Sequence, residues 1–137
     1  GKEDSFLAAM RPTLTVYAAE VRGALSMARG PRARLEAIVR ASFTTTNFRR
    51  ETVAAWLNFY VLAQRNPEAQ RLLSIYQRRL RSNLRHELRP LAGAGAEDVA
   101  GRLAALIDGL YLRVGLAGGQ GQRATQQALD MIEKELS

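Results

Sequence analysis

The sequence predicts an all-α fold, a helical bundle of about six helices. Three observations point there. Alanine and arginine dominate, and β-branched residues rarely alternate with polar ones, which favours helix over strand. Apolar side chains recur at spacings of three and four through most of the chain. The periodic stretches are parted by short Gly, Pro and Asn punctuation, with no long linker, internal repeat or low-complexity tract. At 137 residues the chain fits one domain able to bury a core.

In the first segment Leu7, Met10, Leu14, Tyr17, Val21 and Leu25 form one stripe. Pro12 lies inside it and has no N–H to bond back to Ala8, so a kink or a late helix start is expected. Gly30-Pro31 stops that helix and starts the next, which buries Leu35, Ile38 and Val39, with Phe43 at its end. The hydroxyl-rich run Thr44-Thr45-Thr46-Asn47 is expected to cap a third helix carrying Val53, Trp56, Leu57 and Tyr60 on one face. Asn66-Pro67-Glu68 supplies a cap, a first-turn proline and an acid facing the helix dipole. The long fourth helix follows with Leu73, Tyr76, Leu80, Leu84 and Leu88, and Pro90 with Gly93-Ala94-Gly95 is expected to end it.

Glu97 and Asp98 open a fifth helix, at about residues 96 to 117, with Val99, Leu103, Leu106, Ile107, Leu110 and Val114 as apolar positions. Gly118-Gly119-Gln120-Gly121 joins two helices and reads as a turn, since a phosphate cradle would follow a strand. The sixth helix, at about residues 122 to 136, shows Ala124, Ala128, Met131, Ile132 and Leu136. Residues 103 to 116 are apolar on most sides, which implies burial on two faces. A second subunit is the economical cover, so homodimerisation is expected through Val99, Leu103, Leu106, Leu110, Val114, Ala124, Ala128 and Met131.

Chemistry is sparse. With no Cys there is no disulfide, thiolate nucleophile or Cys-ligated metal. His86 is the one histidine and sits among arginines, and no metal-binding or hydrolase motif is present, so no enzymatic activity, metal or cofactor is expected. No signal peptide opens the chain, and the longest apolar stretch, 103 to 119, carries Asp108 and Arg113, so neither a membrane span nor a membrane partner is expected and a cytoplasmic location is. The net charge of +7 invites a nucleic-acid or membrane-surface reading. Arg78, Arg81, Arg85 and Arg89 line one side of the fourth helix, but no Asn, Gln or Ser pattern suited to base reading accompanies them. A solvated face with ion pairs to Glu87 or a neighbouring helix is the plainer account.

The sharper signal is aromatic. Trp56, Phe59 and Tyr60 cluster on the third segment, with Tyr76 on the fourth and Tyr111 on the fifth. Asp108 stands amid Leu106, Ile107, Leu110 and Tyr111, and a buried carboxylate needs a partner. Ring faces plus one acid suit an organic cation. Alternatively the rings fill core and Asp108 pairs with an Arg of this or another subunit.

The opening Gly-Lys-Glu-Asp-Ser-Phe-Leu-Ala-Ala-Met-Arg resembles the linking segment that follows the helix-turn-helix of TetR-family repressors. Residues 55 to 60, 78 to 84 and 103 to 113 resemble the C-terminal domain of that family's BetI (betaine-pathway) branch, and the likeness runs from about residue 2 to 116. Tyr60 and Tyr111 depart from it, standing where Trp is expected. The resemblance implies a ligand-binding and dimerisation domain over residues 1–137, pairing through its last two helices. A DNA-binding head would lie outside this chain and supply the only contact with DNA. It also implies a small-molecule effector, choline or a similar cation, held by Trp56, Phe59, Tyr60, Tyr76, Asp108 and Tyr111.

Overall fold

A computed structural model describes residues 1–137 as six α-helices and two 3-10 turns, with no strand: α1 (Lys2–Ser26), α2 (Pro31–Ser42), a turn at Thr46–Phe48, α3 (Arg50–Ala63), α4 (Pro67–Ala92), a turn at Gly93–Gly95, α5 (Ala96–Leu116) and α6 (Gly121–Leu136). The all-α bundle expected from periodicity is therefore the observed architecture. No helix is long and apolar enough to cross a membrane.

Three local expectations are corrected. Helix α1 starts ten residues before Pro12 and runs through it. Pro12 and Ala8 are both exposed, so water can serve the carbonyl that the missing N–H leaves free. The same holds at Pro90, which α4 passes to reach Ala92 before Gly93, at φ 57°, turns the chain. The threonine run does not cap α3, whose N-cap is Arg49 without a side-chain bond. Thr44 instead donates to a Glu20 carboxylate oxygen at 2.9 Å, and the buried Asn47 amide donates to the Ala41 carbonyl at 2.9 Å. Asn66 does cap α4, accepting from the Ala69 N–H at 3.0 Å.

Leu35, Ile38 and Val39 of α2, Phe59 and Leu62 of α3, Leu84 and Leu88 of α4 and Leu103 and Ile107 of α5 form the centre of the core. Burying each such side chain contributes roughly 1.5–3 kcal/mol before entropy is counted. One charge lies inside: Glu87, 5% exposed, accepts from Arg34 Nε at 3.1 Å, while Arg34 Nη1 donates to the Leu25 carbonyl at 3.1 Å. This ion pair ties α4 to α2 and to the end of α1. Of the arginine row on α4, Arg81 and Arg85 both engage Glu97 of α5, at 2.8 and 2.9 Å, as an ion-pairing face would.

Helix α6 meets the bundle closely at its first residue. A Cβ on Gly121 would overlap the carbonyl oxygen of Phe43, so this position admits only glycine without moving backbone.

The last two helices carry the largest difference from expectation. Val99, Leu103, Leu110, Ala124 and Ala128 are buried against their own chain. Of the residues expected at a dimer face, only Leu106, Val114 and Met131 remain partly exposed. The outward side of α5 is instead Ala105, Gly109, Leu112 and Leu116, the last 67% exposed. Periodicity marked the apolar residues but not which of two apolar faces the chain would cover.

Three substitutions test this packing. Glu87→Gln removes the charge that holds Arg34 and is expected to lower stability by about 1–3 kcal/mol in urea denaturation; an unchanged midpoint would show the pair to be dispensable. Gly121→Ala should cost about 1–3 kcal/mol, whereas Gly95→Ala, with open space around its Cβ, should leave the melting temperature nearly unchanged.

Candidate functional site

Five aromatic residues from four helices converge beside Asp108. Tyr17 comes from α1, Trp56 and Tyr60 from α3, Tyr76 from α4 and Tyr111 from α5. The Trp56 ring lies 4.8 Å from Tyr76, 5.9 Å from Tyr60 and 6.2 Å from Tyr111, centre to centre, mostly tilted or edge-on. Tyr17 stands 5.9 Å from Tyr76. With Ser42, Asn47, Ile107 and Asp108 these rings enclose a cavity of about 20 Å³, room for little more than one water molecule.

Three of the hydroxyls bond to other residues of the cavity lining. Tyr17 shares a hydrogen bond with Ser42 Oγ at 2.8 Å, and Tyr111 donates to the Asn47 carbonyl at 2.5 Å. Tyr76 donates to Asp108 Oδ1 at 3.0 Å. No arginine or lysine pairs with Asp108 within the chain, so the intrachain ion pair that would explain it structurally is not formed.

Burial raises the Asp108 carboxyl to about 6, with the Tyr76 hydrogen bond pulling the other way. Burial likewise pushes the Tyr17 hydroxyl up to about 12, with Ser42 opposing and the charges of Asp108 and Glu20 adding. Burial also leads the rise at Tyr60 and Tyr76, and the charge of Asp108 contributes at both. Glu20 brings a second carboxylate close to Tyr17, and its Oε1 is buried with no hydrogen-bond partner. The cage is thus an apolar enclosure under a negative potential.

Of the six residues expected to hold a ligand, Trp56, Tyr60, Tyr76, Asp108 and Tyr111 line the cavity together. Phe59 does not. It is fully buried, with its ring edge-on to Trp56 at 6.2 Å, is absent from the cavity lining, and serves as core. Sequence reasoning missed Tyr17, Ser42 and Asn47. Tyr17 carried the one available signal, a phenol in an otherwise aliphatic stripe. Ser42 and Asn47 reach the site only because α2 and the turn after it pass beneath α1.

Comparison with known proteins agrees with this architecture. Residues 31–137 match the model of the BetI-type transcriptional repressor C-terminal domain, past residue 116 where the sequence likeness was expected to stop. The chain is 41% identical over its whole length to the HTH-type transcriptional regulator BetI of Brucella melitensis biotype 1, covering 71% of that protein. Against the regulator of the same name from Rhizobium meliloti it is 48% identical, over 84% of this chain and 57% of the relative. A crystallised protein of Pseudomonas aeruginosa PAO1 assigned to transcriptional regulation superposes with a TM-score of 0.79 at 30% identity, over 93% of this chain and 65% of that one. These relatives are regulators, in a non-enzymatic family, and they give no support to the Arg-rich face as a nucleic-acid or membrane module. The chain belongs to the TetR-family transcriptional repressors, as a C-terminal domain of the BetI type.

Proposed function

We propose that this chain is the effector-sensing and dimerisation part of a cytoplasmic repressor, and that its aromatic cage takes a small organic cation of the choline class. One observation carries the reading: a carboxylate held among five aromatic rings with a tyrosine hydroxyl as its hydrogen-bond partner and no cation beside it. Each ring face offers a cation roughly 0.5–2 kcal/mol, more as water is excluded. Asp108 supplies the charge that desolvation makes costly to keep alone.

A quaternary ammonium needs more than the present 20 Å³, so its binding must part the rings. Tyr17 belongs to α1, whose N-terminal half is tied to the start of α4 by the Arg11–Glu68 ion pair and by Asn66 donating to Glu3 at 3.2 Å. A ligand that displaces Tyr17 therefore biases the tilt of α1, and through it the DNA-binding head that TetR-type repressors attach there. The effector shifts DNA affinity only as far as it prefers one of those tilts. DNA is met through that head alone. The homodimer forms across the outward face of α5, around Ala105, Gly109, Leu112 and Leu116, with the neighbouring side of α6.

The charge on Asp108 makes binding pH-dependent with a defined sign. Calorimetry should show choline or tetramethylammonium binding at pH 8 and about tenfold more weakly at pH 5, where about a tenth of a group titrating near 6 stays ionised. Because the folded-state value lies above the ordinary 3.8, this group's contribution to stability is complete below pH 4 and is lost as pH rises through about 6. Asp108→Asn should then raise the stability of the free protein at pH 7.5, on the order of 2 kcal/mol, while abolishing cation binding. Loss of stability in that variant, or pH-independent binding in the parent, would contradict the assignment.

The interface has its own test. Leu112→Glu with Leu116→Glu should convert a sedimenting dimer to a monomer of unchanged helical content. A dimer that survives both charges places the interface elsewhere.

A further inference from the structure

A much larger cavity than the aromatic cage lies beside it. A groove of about 680 Å³ runs between α1 and α4, within the range of ligand sites. Its floor is aliphatic, formed by Leu14 and Leu25 of α1, Ile38 of α2, and Leu72, Ile75 and Leu80 of α4. Its rim is basic: Arg11, Arg22 and Arg79 line it, and no carboxylate does. Arg11 is matched by Glu68, but Arg22 and Arg79 are exposed and make no ion pair, unlike Arg81 and Arg85 on the same helix.

These features have an order along the groove. The contacts Asn66 to Glu3, Arg11 to Glu68 and Tyr17 to Tyr76 show that α1 and α4 run in the same direction, which brings Arg79 level with Arg22. Both guanidiniums, with the Asn83 amide, fall beyond the tyrosine pair, while Leu14, Leu72 and Ile75 fall before or beside it. The two guanidiniums without an ion-pair partner therefore lie at one end, above Val21, Leu25 and Leu80, while Arg11 at the other end is matched by Glu68. From residue 11 to residue 25 it follows about 21 Å of helix, enough for an extended acyl chain.

We infer that this groove is a second ligand site, for a long-chain carboxylate, whose headgroup is held by Arg22 and Arg79 and whose chain lies over Leu14, Leu72 and Ile75. Guanidinium matches carboxylate in a two-bond geometry that an ammonium headgroup cannot use. The site is separate from the cage in position and opposite in charge, but the two share Tyr17 and Tyr76 as a common wall. An occupant of the groove is thus sensed by Trp56, the protein's one tryptophan, through the Tyr76 ring 4.8 Å away.

The test is titration of the protein with dodecanoate below its micellar concentration, followed by Trp56 fluorescence and by equilibrium dialysis. The expected result is saturable binding of one molecule per chain, weakened about tenfold or more by Arg22→Ala with Arg79→Ala, exposed positions whose loss leaves the fold intact. Ala18→Trp, which fills the groove, should abolish it, and Asp108→Asn should leave it unchanged. Dodecyltrimethylammonium should not compete. Absence of saturable binding, unchanged affinity in the double arginine variant, or equal binding of the cationic amphiphile overturns the inference. Sensitivity to Asp108→Asn would overturn it too, by placing dodecanoate in the cage, and failure on any of these counts leaves the cation reading of the cage standing.

Discussion

Helix α5 has no freedom to rotate about its axis. Val99, Leu103, Ile107 and Leu110 are all buried against α4, α3 and α6, and turning the helix by one position would expose them together. Fixing that one angle fixes everything around it. Asp108, one residue past Ile107, is carried to the edge of the aromatic cluster and cannot swing fully into water. Tyr111, one turn on, is set against Trp56 and anchored by the Asn47 carbonyl. The opposite side of the same helix, Ala105, Gly109 and Leu112, is left facing outward. Aromatic cage and outer face are two consequences of one packing decision.

The ion pairs reinforce this frame at places where apolar contact is thin. Glu97 at the start of α5 takes Arg81 and Arg85 of α4, holding the helix along its axis as the Leu and Ile contacts hold its rotation. Glu97 is exposed and lies below the usual carboxylate range because the Arg85 bond holds it there, so this contribution is modest and falls with salt. Glu87 with Arg34 is the pair inside the core, and it joins three helices at once. Its removal would leave charge or polarity where water does not readily reach.

Asp108 bears on the opposite side of the balance. Burial raises its carboxyl, so the folded chain holds the charge at a cost in stability that the Tyr76 hydrogen bond only partly offsets. Stability given up at a defined point, surrounded by ring faces, is the usual mark of a binding site in an otherwise consistent structure. The cage and the α1–α4 groove differ in the same terms, one a small aromatic space beside the Asp108 carboxylate, the other a larger aliphatic channel beside guanidiniums.

The sequence by itself determined the helical class, the six segments and the Asn66 cap, and it singled out Trp56, Tyr60, Tyr76, Asp108 and Tyr111, which line one cavity, because periodicity, capping chemistry and an acid among apolar residues are local facts. It expected a kink or late start at Pro12 and gave Pro90 a share in ending α4, whereas both helices run through their prolines, since a proline at an exposed position costs one hydrogen bond that water can replace. It also assigned Phe59 to the site, because neighbours on a helix look alike until one of them is buried. Only the tertiary structure decided that Tyr17, Ser42 and Asn47 complete the cage. It alone turned Val99, Leu103, Ala124 and Ala128 inward, against their own chain. Those outcomes depend on how helices distant in sequence cross and rotate, and a helix with apolar residues on two sides does not state in its own sequence which side its own chain will cover.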